Sequence, residues 1–172
     1  MRKDFVAPIL VLTLICLVIS GALAFTNSIT EPVITGAAAE REEAARYEII
    51  PEADDFELFS ADGLPATVRE VYRSTNGVGY IFMIMTSGYG GDIKIICGVD
   101  ADGRVIRSRA IEQSETKGLG ARIAEAPFAD QFDGVDSELE GVDAITGATI
   151  SSTAYIGAIR DALDAFEIIR NS

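Results

Sequence analysis

Residues 6–25 form an almost uninterrupted apolar run, with Thr13, Ser20 and Gly21 as its mildest exceptions. At about 1.5 Å of rise per residue, roughly 20 such residues reach across the ~30 Å hydrocarbon layer of a bilayer. A segment of this kind is either placed in lipid or removed. Arg2 and Lys3 precede it, and the bias of cationic residues toward the cytoplasmic side keeps the N-terminus in the cytoplasm and sends the remainder across. The rival reading is a cleaved leader, because Ala22-Leu23-Ala24 has the small-x-small spacing of a peptidase site. The run exceeds the roughly 7–15 apolar residues of a leader's core, which favours a retained anchor. Both readings export the rest of the chain.

Composition narrows what the exported part does. The chain of 172 residues has 27 acidic and 14 basic side chains, a formal charge of -13. Residues 1–25 hold only Arg2, Lys3 and Asp4 of these, so nearly all the negative charge is exported. Repulsion then opposes binding to nucleic acid or anionic headgroups. The sequence has no histidine, which excludes Ser-His-Asp and Cys-His nucleophiles, histidine-bound zinc and histidine-bound haem. Its two cysteines, Cys16 and Cys97, are too few for a four-cysteine cluster or a zinc ribbon. No residue is assigned to a metal. Any redox chemistry here must come from a cofactor held by other means.

The length allows one domain plus an appendage. We expect three segments: a cytoplasmic tip and membrane anchor over 1–25, a stalk over 26–55, and an exported domain over 56–172. Thr30-Glu31-Pro32 reads as a turn, and 36–50 as a polar, alanine-rich helix closed by Pro51. In the domain, strands are expected over 66–72, 78–85, 93–99 and 105–111, separated by turn sequences, hence a four-stranded antiparallel meander. Asp100-Ala101-Asp102-Gly103 is one of those turns rather than a calcium loop, because Arg104 stands at the next ligand position. Short helices are expected over 118–126 and 127–132. Tyr155, Ile159, Leu163, Phe166 and Ile169 recur at helical spacing, with Ser151 or Ser152 as the N-cap. The fold class is α+β.

The stretch most suited to chemistry is Asp143-Ala144-Ile145-Thr146-Gly147-Ala148-Thr149-Ile150-Ser151, just before that last helix. Small residues at Gly147 and Ala148 allow a bulky ligand close to the backbone, and free N–H groups at a helix start attract an anion such as phosphate. A polar turn that caps the helix is the plainer alternative. No acid/base pair has a recognisable spacing. Glu112 and Glu115 read as strand-end and loop charges.

Three patterns carry a family resemblance. Asp143-x-x-Thr146-Gly147-Ala148-Thr149 resembles the flavinylation motif of the FMN-binding domain shared by the G subunit of the Rnf ion-translocating ferredoxin:NAD oxidoreductase and the C subunit of the sodium-translocating NADH:quinone reductase. Glu115-Thr116-Lys117-Gly118-Leu119-Gly120 resembles that family's Glu-Thr-Pro-Gly-Leu-Gly segment, and Ser87-Gly88-Tyr89-Gly90-Gly91 also follows its pattern. The resemblance implies FMN joined by a phosphoester to Thr149, attached by a separate flavin transferase. It implies that the segment with Gly118, Leu119 and Gly120 lies against the flavin. Leu119 is the candidate for apolar contact with the isoalloxazine, with core packing as its alternative. Thr116 and Thr146 are the candidates for polar contacts, and Gly118 and Gly120 have a plain turn role as the alternative. Asp143 would serve the motif turn or the transferase.

The sequence departs from the pattern twice. Lys117 replaces the usual proline, which frees a φ angle and adds a cation. Ile150 stands where many relatives have another hydroxyl. The implied function is an electron-transfer subunit with covalent FMN in an Rnf-type, redox-driven ion translocase, working with other membrane subunits rather than as an enzyme alone. A role like that of the quinone reductase's C subunit, a freestanding exported flavin carrier, and a flavin-free binding or sensory module using the Tyr89 loop are the alternatives.

Overall fold

The structure is a computed structural model and describes residues 2–171. The side chains of residues 2–5 and of residue 7 lie outside the described set, and with them the Arg2 and Lys3 charges behind the expected orientation. Contacts divide the chain into two compact units, Met1–Glu42 and Glu43–Ser172. Helix α1 covers Arg2–Ile49. Within it lies the one helix stretch among the described residues that is long and apolar enough to cross a membrane, with an 18-residue mean hydropathy of 2.6.

The turn expected at Thr30-Glu31-Pro32 is not formed, because α1 continues through Pro32. Proline removes one N–H and crowds the carbonyl four residues back. Hydroxyls on either side also donate to helix carbonyls, Thr30 Oγ1 to Thr26 O at 3.1 Å and Thr35 Oγ1 to Glu31 O at 3.0 Å. The alanine-rich stretch that follows propagates the helix.

The second unit is built on a five-stranded antiparallel meander: β1 Phe56–Phe59, β2 Val68–Ser74, β3 Gly79–Ser87, β4 Asp92–Asp100 and β5 Val105–Glu112, in that spatial order. One more strand is present than the pattern predicts. The additional one, β1, has only four residues and lies at the edge, pairing Phe56 with Ser74 and Phe59 with Val71.

The centre of the sheet is covered on both faces, which explains why β3 and β4 read as continuous apolar runs rather than alternating ones. On one face Phe82, Ile84, Ile93, Ile95, Cys97 and Val99 join the core made with helix α3. On the other, Ile81, Met83 and Ile96 pack with Ile49, Ile50 and Ala53. Gly98 permits that approach, since a Cβ there would collide with Ile49. Each fully buried Ile or Phe contributes about 1.5–3 kcal/mol.

After β5 the chain forms a 3-10 turn, Gly120–Ala124, the single-turn helix α2 Ala126–Ala129, and a second 3-10 turn, Asp130–Phe132. The long helix α3 follows, Thr149–Arg170. It buries Tyr155, Ile159, Leu163 and Phe166 against the sheet. Tyr155 meets Phe128 edge-to-face and Phe132 at a tilt in a cluster of three rings, and its hydroxyl donates to Ser108 Oγ at 3.0 Å. Burial pushes its phenol up from the usual value.

The start of α3 differs from expectation. Ala148 precedes the helix, no side chain caps it, and Thr149 is its first residue. The expected caps do other work: Ser152 Oγ donates to Ala148 O at 2.9 Å, and Ser151 Oγ turns to Glu115.

Candidate functional site

Three loops meet at one end of the sheet because of its register. Ser87 pairs with Asp92 and Lys94 with Glu112, so the β3–β4 loop and the exit of β5 emerge side by side. The N-terminus of α3 closes the group through Ser151. Its Oγ donates to Glu115 Oε2 at 2.8 Å, while the Gly90 N–H donates to Glu115 Oε1 at 3.0 Å. Glu115 is only 7% exposed. Glu115 lies in the loop after β5, as expected, but its carboxylate is buried and joins two loops and a helix.

These elements enclose a cleft of about 450 Å³ lined by Tyr89, Glu115, Thr116, Leu119 and Gly120 on one side and by residues 147–151 on the other. Of the residues singled out in the sequence, Thr116, Leu119, Gly120, Gly147, Ala148 and Thr149 meet here. Glu115, Ser151, Tyr89 and Ile150 complete the lining. Tyr89 is 74% exposed, Ile150 58% and Leu119 50%. Single apolar side chains this open to water are common, but three of them around one cleft mark a surface for a ligand or partner.

The backbone supplies the second half of the geometry. The Ala148 N–H donates to Ile145 O at 3.0 Å, and Gly147 takes φ of +84° at the third position of that turn. This is the left-handed conformation a side chain would resist by about 1–2 kcal/mol. The turn delivers Thr149 to the first position of a 22-residue helix, with no side-chain cap and no acidic residue in its first turn. The first-turn N–H groups of such a helix are donors without intrahelical acceptors, at the positive end of its dipole. An anion attached at Thr149 fits them. The cleft beside them is within the size range of a small-molecule site, and its exposed apolar walls suit a flat aromatic ring. The residues present therefore fit a nucleotide-like cofactor with a phosphate at the helix start and a ring in the cleft.

Three of the singled-out residues do not line this cleft. Asp143 and Thr146 border a neighbouring depression of about 310 Å³, with Arg122, Glu125 and Gln131. Gln131 Oε1 accepts from the Asp143 N–H at 2.9 Å. Gly118 lines neither depression and has open space where a Cβ would stand, at φ of +76°. It forms the turn before Leu119, whose N–H donates to Thr116 O at 3.1 Å. Lys117 in that turn is exposed. The burial of Glu115 and its ties to Gly90 and Ser151 are not legible in the sequence, because these partners are 25 and 36 positions away along the chain.

Comparison with known proteins gives the family and the fold. The FMN-binding domain family matches residues 88–164. The chain is 34% identical over 177 residues to the G subunit of the ion-translocating oxidoreductase complex of Methanosarcina acetivorans, covering 94% of both chains. It is 32% identical over 186 residues to the G subunit of the Na(+)-translocating ferredoxin:NAD(+) oxidoreductase complex of Acetobacterium woodii, covering 92% of this chain and 89% of the relative. The crystal structure of Shewanella oneidensis NqrC shares the fold, with a TM-score of 0.51 at 18% identity over 72% of this chain and 70% of that one.

Proposed function

Because the chain belongs to the family of the G subunits of ion-translocating oxidoreductase complexes, we propose that it is the electron-transfer subunit of an Rnf-type complex and carries FMN esterified to Thr149. The observation that carries this reading is the cleft itself. It sets the one threonine at the start of α3 beside an open apolar wall of Tyr89, Leu119 and Ile150.

In this reading Thr149 Oγ1 holds the phosphate, and the first-turn N–H groups of α3 neutralise part of its charge. Leu119 and Ile150 offer apolar contact, and Thr116 a hydroxyl. A flavin supplies one- and two-electron chemistry without histidine or cysteine, neither of which lines the cleft. Ile150 replaces the hydroxyl common in relatives with apolar surface. The ester keeps the cofactor in place on the far side of the membrane. Asp143 and Thr146, in the neighbouring depression, are assigned to recognition by the flavin transferase that makes the bond.

The apolar segment of α1 anchors the chain once in the membrane. Arg2 and Lys3 keep the N-terminus in the cytoplasm, and the domain works outside it against other membrane subunits of the complex. The test is expression of the full chain with and without an active flavin transferase, followed by fluorescence of the denatured band in a gel. A band that fluoresces only with the transferase supports the proposal. A dark band beside a fluorescent positive control overturns it.

A further inference from the structure

The residue without a part in this account is Glu115. It is the one formally charged side chain among those lining the cleft. No ion pair compensates it among the described residues. Its partners are neutral donors, the Gly90 N–H and the Ser151 hydroxyl.

The surrounding backbone is shaped around it. A Cβ at Gly88 would collide with Glu115 Oε1, and one at Gly120 with Glu115 Oε2. At Gly90 it would collide with Ser114 O and come within 3.1 Å of Glu115 Cα. Two close approaches by glycine to the carboxylate, with Gly90 set against the backbone that carries it, form a cradle that a neutral amide could fill equally well by size. Structure alone therefore does not require the acid, and a charge in low-dielectric surroundings acts more strongly than one in water.

We propose that Glu115 is a positioning and charge-setting residue of the cofactor site: it ties the Tyr89 loop to the start of α3 and places in the cleft a negative charge that lowers the reduction potential of the flavin held there. The inference rests on the flavin reading above. Electrons arriving in the cleft add negative charge wherever protons do not follow in equal number. The Glu115 carboxylate opposes that charge, and the donors on its two oxygens moderate the opposition. The sign of the effect is fixed by electrostatics, so variants separate it from a purely mechanical role.

The experiment uses the full chain in detergent, made with the flavin transferase, with loading read by in-gel fluorescence and the potential by spectroelectrochemical titration. Glu115→Gln keeps the size and removes the charge. It raises the potential by a factor of about ten in the reduced-to-oxidised equilibrium, about 59 mV for a one-electron couple. Glu115→Asp keeps the charge and stays near the wild-type value. Ser151→Ala removes one moderating donor and shifts the potential the opposite way, downward. Glu112→Gln, an exposed charge three positions away, leaves it unchanged.

A loaded Glu115→Gln protein with the wild-type potential overturns the proposal, as do Glu115→Gln and Ser151→Ala shifts of the same sign. If Glu115→Gln does not load, Ser151→Ala decides alone: a fall supports the proposal, and no change or a rise overturns it. A wild type that never loads is a different result, and it removes the flavin reading itself.

Discussion

The two halves of the stretch that leads into α3, residues 143–146 and 147–151, differ in what they face. Residues 147–151 open onto the larger cleft, among exposed Tyr89, Leu119 and Ile150. Residues 143–146 open onto a smaller depression with Arg122, Glu125 and Gln131 on its border. One glycine at positive φ, Gly147, separates them. A single short motif thus presents an apolar site with helix donors on one side and a charged, amide-bearing surface on the other. We read the first as the place of the cofactor and the second as a recognition surface, and variants on either side of Gly147 test the division.

The largest effect is expected at the attachment point. Thr149→Val removes the hydroxyl at nearly constant shape and abolishes fluorescence of the denatured band, whereas Thr146→Val leaves the attachment chemistry possible and some fluorescence present. Loss at Thr146 with retention at Thr149 would reverse the assignment of the two halves.

Next comes the wall of the larger cleft. Gly120→Ala forces its Cβ against Glu115 Oε2 and to 2.9 Å from Ser151 Oγ, an overpacking that costs about 1–3 kcal/mol. Lowered thermal stability together with reduced flavin loading is expected.

Ser152 joins the halves from beneath. Its Oγ accepts from the Ile145 N–H at 3.2 Å and donates to Ala148 O at 2.9 Å. Ser152→Ala leaves the Ile145 N–H without that acceptor and destabilises the domain by about 1–3 kcal/mol, with the covalent flavin retained in the folded fraction. Denaturant unfolding checks it.

The smallest effect belongs to the recognition side. Gln131→Ala removes the acceptor of the Asp143 N–H and costs about 0.5–1.5 kcal/mol. It slows attachment by the transferase and leaves the potential of loaded protein unchanged. A shifted potential would show that the smaller depression contributes to the cofactor's surroundings.

What can be read from the sequence follows from how local each signal is. The apolar segment of α1 and the buried face of α3 are legible because hydropathy and the 3.6-residue period are properties of neighbours in the chain. β3 and β4 are legible for the same reason. β1 is not, since Phe56-Glu57-Leu58-Phe59 is four residues long and exposes Leu58. The start of α3 misleads because Ser151 and Ser152 look like caps, while the actual preceding residue, Ala148, has no capping atom. The path of α1 through Pro32 is likewise hidden from a rule that treats proline as a stop.

The site divides in the same way. Thr149 and its glycine-alanine approach stand in one continuous motif. The burial of Glu115 depends on Gly90 and Ser151, brought to it only by the sheet register and the packing of α3. A charge flanked by polar residues in the sequence gives no sign that the fold will enclose it.

The central claim is tested most directly by mass spectrometry of the tryptic peptide covering residues 123–160, taken from protein matured by the flavin transferase. The account predicts a mass increased by one FMN less one water, with fragment ions placing the increment on Thr149. An unmodified peptide, or an increment on Thr146 or a neighbouring serine, would contradict it.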